Sequence, residues 1–299
     1  MNMMTTGIQP AALETRAMIV NLTISQWSGR RLDRQVTDEV NSSHGASDDA
    51  GRYNKLLIPK DALAPIEKIV NATRTDFRKR TLPWIDDGGR IMAADAYLAH
   101  SRWIDGQRIK FDAAVEEFVA AYPGLLAEAS KRLNTMFKAD DYPSPKELRT
   151  KFAMAVTVMP VPTADDFRVN MSQAQADRIR ADIEENVRQA TANAMRDVYR
   201  RIADVTGRMV ERLTAYKPAE KKGERSEGTF KDSLVENVKD LVEIMPALNI
   251  VGDSSLTAIA EEMRALIKHP ADTLRVSPTA RQDVAAKARE ILATVSDYL

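Results

Sequence analysis

The stretch Ser172–Tyr216, SQAQADRIRADIEENVRQATANAMRDVYRRIADVTGRMVERLTAY, decides the fold. Its apolar and small residues fall at Ala176, Ile179, Ile183, Val187, Ala190, Ala194, Val198, Ile202, Val205, Met209, Leu213 and Tyr216, spaced by threes and fours, which is one stripe of an α-helix. The spacing opens as two rounds of three-four-four, a period of about 3.67 residues, so the seam runs nearly straight and asks for a long antiparallel partner. Ser172 and Gln175 have the spacing of a reciprocal capping box. Acidic residues gather toward the start (Asp177, Asp182, Glu184, Glu185) and arginines toward the end (Arg196, Arg200, Arg201, Arg208, Arg212), the order that complements a helix dipole. Lys217-Pro218 stops the helix, a rod of roughly 65 Å.

Upstream, Thr15–Trp27 is rich in β-branched residues with period-two alternation and reads as a strand. Ser28-Gly29-Arg30-Arg31 turns the chain, Leu32–Val40 is a short helix, and Asn41–Gly51 is a polar loop. Asp61 caps a helix carrying Leu63, Ile66, Ile69, Val70, Ala72 and Phe77, and Leu82-Pro83-Trp84 breaks it. Asp86-Asp87-Gly88-Gly89 reads as a tight turn. A shorter helix is expected over Ala93–Ile104 and a long one over Gln107–Phe137, with Ile109, Ala113, Phe118, Ala121 and Leu125 facing a core and an interruption at Pro123-Gly124. Phe152–Val161 is a second strand, which pairs most simply with the first. Pro218–Gly228 holds no apolar residue except alanine and reads as a charged linker. Beyond it, helices are expected over Lys231–Met245, Ser254–Lys268 and Pro278–Leu299.

The expected fold is therefore mainly α: a long antiparallel, coiled-coil-like hairpin of Gln107–Phe137 against Ser172–Tyr216, a small two-stranded β element and a C-terminal helical unit. The expected divisions are 1–60 (strand, short helix, polar loop), 61–217 (helical core), 218–228 (linker) and 229–299 (C-terminal unit).

Composition bounds the function. The chain has 299 residues, 44% hydrophobic and 29% charged, with 43 basic side chains balancing 43 acidic ones, so no global field draws it to nucleic acid or an anionic membrane. Cysteine is absent, which removes disulfides and thiol chemistry and fits a reducing compartment; cytoplasm is the expected location. The first twenty residues lack the pattern of a signal peptide, and no apolar run approaches the about 20 residues that span a bilayer.

Phosphate-loop, HExxH, GxSxG and GxGxxG patterns are absent from the sequence. His44, His100 and His269 are scattered. The aspartate pairs Asp48-Asp49, Asp86-Asp87, Asp140-Asp141 and Asp165-Asp166 suit a hard divalent ion chemically, but each falls at a turn or helix start, where Asp serves the backbone as a cap. Arg196, Arg200, Arg208 and Arg212 keep four- and eight-residue spacings on one drifting stripe that could track phosphates, although Asp197, Asp204 and Glu211 interrupt it and Tyr199 is the only interleaved aromatic.

Trp27-Ser28-Gly29-Arg30-Arg31-Leu32 after a strand, the Leu57-Ile58-Pro59 region, Thr81-Leu82-Pro83-Trp84 and Phe111, Phe118 and Tyr122 together resemble an uncharacterised helical family of phages and bacteria. The resemblance covers about the first 170 residues. It implies a partner of a remodelling machine, an AAA+ ATPase of the MoxR type, and carries no catalytic residue. The function expected from the sequence is a non-enzymatic interaction or assembly protein of phage type, oligomeric or bound to a protein partner, with no cofactor or metal and no membrane. Ala190 and Ala194 are the expected close-approach surface. A nucleic-acid-binding protein using Arg30, Arg31 and Arg34 with the arginines of the rod is the alternative, and a metal-dependent hydrolase built on paired aspartates the third.

Overall fold

A computed structural model describes residues 10–163, 173–219 and 224–299. The elements in chain order are α1 (Pro10–Arg16), β1 (Ala17–Ser25), β2 (Arg30–Leu32), α2 (Arg34–Ser43), β3 (Asn54–Leu56), α3 (Ala64–Arg80), β4 (Leu82–Trp84), β5 (Asp86–Ala93), α4 (Tyr97–Leu133), α5 (Pro145–Thr150), β6 (Ala153–Pro160), α6 (Gln173–Ala215), α7 (Ser233–Leu248), α8 (Ser254–Leu266), α9 (Ala271–Val276) and α10 (Pro278–Ser296). The protein is mainly α-helical, with a four-stranded sheet of order β4-β5-β1-β6 and a separate two-stranded sheet of β2 and β3. The two expected strands are neighbours in the larger sheet. No described helix is long and apolar enough to cross a membrane.

The chain divides into two compact units, each drawn from separated stretches: Met1–Asn21, Phe77–His100 and Val158–Leu299 form the first, and Leu22–Asp76 with Ser101–Thr157 the second. This corrects the sequence-based boundaries. Residues 218–228 do not separate domains, because α7 and α10 pack on α6 within the first unit. Lys217 and Glu227 exchange backbone hydrogen bonds, 3.0 Å each way, which holds the two ends of the charged stretch together.

In the first unit, α6 runs for 43 residues, and every residue of its expected stripe is buried or half-buried, from Val187 through Ala194, Val198 and Ile202 to Leu213. Ser172, the expected cap, lies outside the described residues. The rod's long antiparallel partner is α10, not the helix expected upstream. Tyr199 stacks on Tyr298 at 4.5 Å, and further along α6 Thr214 accepts a 2.9 Å hydrogen bond from Arg289, so the two helices run in opposite directions. Tyr199 also donates to the Asp253 carboxylate at 2.8 Å, where Asp253 caps α8; burial raises its pKa. His100 packs edge-on against Phe77 and is 3% exposed. Burial, with the nearby Arg80 charge, lowers its pKa from the ordinary 6.5 to about 4.

In the second unit the core gathers on α3 and α4: Ile66, Val70, Ile104, Phe111, Val115, Phe118 and Tyr122, with Leu148, Phe152 and Met154. Helix α4 is continuous through Pro123 for 37 residues, where two helices and an interruption were expected. Its buried face is set by Phe111, Val115, Phe118 and Tyr122, which leaves Ile109 71% exposed. Of the other expected core positions Phe118 is buried and Leu125 half-buried, whereas Ala113 and Ala121 are exposed; the aromatic rings bury more area than the small aliphatic residues and fix the rotation of the helix.

Two consequences are measurable. A Cβ at Gly207, inside α6, would meet only Leu292 at 3.9 Å, ordinary contact. Gly207→Ala should therefore raise stability by about 0.5–1 kcal/mol in urea unfolding, since the helix-interior glycine loses its entropic disadvantage without a clash. His100 is neutral in the folded state, whereas the unfolded chain takes up a proton as pH falls below about 6.5. Folding stability should thus drop by about 2 kcal/mol between pH 7 and pH 5, and a His100→Leu variant should lose this slope.

Candidate functional site

The site begins with the turn after β1. Gly29 has φ +63°, and a side chain there would meet Ile58 at 3.0 Å, so both the backbone conformation and the close approach call for glycine. The Gly29 carbonyl accepts from the Leu57 amide at 2.8 Å. The antiparallel register then sets Arg30 opposite Leu56, Arg31 opposite Lys55 and Leu32 opposite Asn54. One face of this ribbon carries Arg30, Leu32, Asn54 and Leu56, the other Arg31 and Lys55.

Lys55 is only 2% exposed, and opposite another cation it requires compensation. Its ammonium donates to Asp141 at 2.7 Å, Asp33 at 3.0 Å and the Met136 carbonyl at 2.8 Å, which uses all three of its hydrogens. Burial works against the Lys55 charge, but the hydrogen bonds to Asp141 and Asp33 outweigh it and raise the pKa. The Asp33 carboxyl is held below its ordinary range, chiefly by the hydrogen bond from Lys55. Asp33 also caps α2 by accepting from the Val36 amide. Asp141 completes the cluster by binding Arg31 at 3.0 Å, so one carboxylate holds the two facing cations together. The Tyr142 hydroxyl donates to the Leu57 carbonyl at 2.8 Å and ties the same loop to the ribbon.

Above this cluster opens a cleft of about 690 Å³, lined by Trp27, Arg30, Arg31, Leu32, Asp140, Pro143 and Lys151 among others. Trp27 is half-buried and leans edge-on against Tyr122 at 5.9 Å and against Phe118 at 6.3 Å. Glu147, also on the wall, is engaged by Ser144 in a capping box that lowers its pKa. Arg30 and Asp140 are exposed and form no side-chain hydrogen bond or ion pair among the described residues, and Lys151, also exposed, acts on the Glu147 carboxylate through its charge. The cleft thus offers an indole and a few apolar side chains within mostly polar walls that carry charges of both signs.

The expected site residues are distributed as follows. Arg30 and Arg31 lie in the cleft, while Arg34, the first residue of α2, is exposed outside its lining. Ala190 and Ala194 are 7% and 0% exposed, covered by the chain's own core; this corrects their reading as a surface for a second helix. Arg196, Arg200, Arg208 and Arg212 are exposed on α6, but Arg200 is paired with Asp197 and Arg196 donates to Asn193. Tyr199 is buried and therefore not an interleaved stacking aromatic. Asp141 is a structural counter-ion. Asp165-Asp166 and the side chains of Asp86-Asp87 lie outside the described residues. The Lys55 cluster was missed by sequence reasoning; its one trace is a lysine at the start of the apolar run Lys55–Ile58.

No family model, curated protein or solved structure matches this chain.

Lys55→Met should cost about 3 kcal/mol or more of stability, because it leaves two inward-facing carboxylates without their cation. Folded Asp33 titrates below the unfolded value, so the stability that its pairing with Lys55 supplies is present above about pH 4 and is lost as pH falls through the depressed pKa. Chemical unfolding of both proteins at neutral and acidic pH should show the difference between them shrinking toward low pH.

Proposed function

We propose that the chain is a non-enzymatic interaction protein whose partner, a protein, docks at the cleft beside the two-stranded ribbon. The observation that carries this reading is the concentration of exposed large apolar side chains in one short stretch. Leu32, Val40, Tyr53 and Leu56 are 36–47% exposed, and Leu32 and Leu56 share a ribbon face with Arg30 next to Trp27. Trp and Arg are the side chains that most often dominate binding energy at protein interfaces, and an apolar centre rimmed by unpaired charges is the usual anatomy. Among the groups of this unit with a shifted pKa, Lys55, Asp33 and Tyr122 serve the fold: Tyr122 donates to the Pro143 carbonyl at 3.1 Å. That use supports binding over catalysis. The resemblance to the phage and bacterial family suggests an AAA+ ATPase as partner or an assembly role, and self-association through the same cleft is the alternative.

A photo-crosslinking residue at Leu32, with the full chain expressed in its own host, tests the reading. A discrete adduct is expected from Leu32, with none from the more exposed Ile109 on α4. The adduct should fall at least about tenfold in an Arg30→Glu, Lys151→Glu variant. Equal labelling from both positions, or none from Leu32, would overturn the reading.

A further inference from the structure

A second, more strongly cationic site belongs to the unit that contains α6. Helix α3 ends in Arg78-Lys79-Arg80, β5 supplies Arg90, and α6 supplies Arg200 and Arg201. Arg90 donates to the Thr81 hydroxyl at 3.0 Å, to the Thr81 carbonyl at 2.7 Å and to the Arg78 carbonyl at 2.9 Å. Arg201 donates to the same two carbonyls at 3.1 and 3.3 Å, and to the Lys79 carbonyl at 2.7 Å. Two guanidiniums therefore converge on shared acceptors. Asp197, which is 8% exposed, holds Arg201 at 2.8 Å and is shared with Arg200.

The charges do not balance. Arg78, Arg90, Arg200 and Arg201 face one aspartate, and Arg78 and Arg201 both act against the charge of Arg90; burial and these neighbours lower its pKa to about 10. Arg78 is exposed with no side-chain partner among the described residues, and Arg200 is 66% exposed. From Arg200 the surface continues along one i, i+4 ridge of α6: Arg196 one turn before it, and Arg208 and Arg212 beyond Asp204. At about 1.5 Å per residue the pairs Arg196/Arg200 and Arg208/Arg212 are each spaced by roughly 6 Å, the two pairs stand about 12 Å apart across Asp204, and the four cations extend over about 24 Å.

An isolated small anion would need only the cluster, whereas guanidiniums spread over about 24 Å of one helix face fit a repeating anion, even with Asp204 among them. Guanidinium matches phosphate through paired hydrogen bonds. Tyr199, the aromatic on this part of the helix, is turned into the core against Tyr298, so bases would find no platform there. We propose that Arg78, Arg90 and Arg200, extended along α6 by Arg196 and Arg208, form a contact site for the phosphate backbone of double-stranded nucleic acid, without sequence preference.

Fluorescence anisotropy with labelled duplexes of about 20 base pairs, DNA and RNA in separate arms, tests this on the full chain. Binding should weaken steeply with salt, each phosphate contact contributing about 0.9 to the logarithmic slope. Arg78→Gln with Arg208→Gln changes two exposed side chains that form no hydrogen bond or ion pair among the described residues; the variant should bind about tenfold more weakly at low salt, with a slope shallower by about 2. Equal affinity for the two duplexes supports backbone contact, and preference for one assigns the source of the phosphates. The proposal is overturned by no binding at low salt, by unchanged affinity in the variant, or by tighter binding of poly-glutamate than of either duplex, which would assign the site to an acidic protein.

Discussion

A helix of 43 residues whose apolar stripe runs its full length is not stable until that stripe is covered. Each buried Val, Ile, Leu or Met contributes about 1.5–3 kcal/mol only when water is excluded from it, and Val198, Ile202, Met209 and Leu213 are essentially inaccessible. The cover comes chiefly from α10 and α7, with β4 and α1. The C-terminal helices are thus part of the same core rather than an appended adaptor. The chain returns to α6 through the stretch whose ends Lys217 and Glu227 hold together, where Gly228 sits at φ +60° with any Cβ falling 2.3 Å from the Ala215 carbonyl. Only glycine fits both that conformation and that approach.

The polar counterpart of this cover is the junction at the end of α3. The last carbonyls of a helix have no partners within it, and here Arg90 and Arg201 supply donors to those of Arg78 and Lys79 and to the neighbouring Thr81. Guanidinium is suited to this because its fork reaches several acceptors at once, which a lysine ammonium cannot do in a plane. Asp197 orients Arg201 for the task, and so α6 carries both an apolar stripe that the core covers and a charged one that fixes a neighbouring helix end.

Much of this architecture is legible in the sequence because it rests on periodicity. The stripe of α6 and the places where β1 and β6 run follow from local pattern. The partner of α6 does not, since α10 and Gln107–Phe137 both offer helical stripes and only three-dimensional packing chooses between them. Strand β5 was hidden by Asp86-Asp87-Gly88-Gly89, a turn by local preference; it becomes a strand because β1 offers an edge, with Ile19 opposite Ile91 and Ala17 opposite Ala93. On α4 the pattern is followed in part: Phe118 and Leu125 face the core as expected, while Ile109, Ala113 and Ala121 do not, because two overlapping apolar stripes compete and the choice falls to the bulk of Phe111, Phe118 and Tyr122. Within the cleft, Arg30 and Arg31 were marked by their place after the turn. The buried Lys55 was not, because its burial depends on Asp33 and Asp141, the second of which lies 86 positions away in the chain.

Equal numbers of acidic and basic side chains suggest a protein without an electrostatic preference, yet the charges are not evenly matched in space. Both units use the same device: an inward-facing carboxylate shared by two cations, Asp141 between Lys55 and Arg31, and Asp197 between Arg201 and Arg200. In each pair one cation serves the fold, Lys55 at 2% and Arg201 at 23% exposure, and the other stays largely in water, Arg31 at 56% and Arg200 at 66%. A side chain held this way loses less rotamer freedom when a ligand arrives, because part of its ordering accompanies folding. The bulk composition therefore says little about where anions or partners bind. What matters is which carboxylates are used inside the fold, since each one so used leaves a positioned cation at the surface beside it.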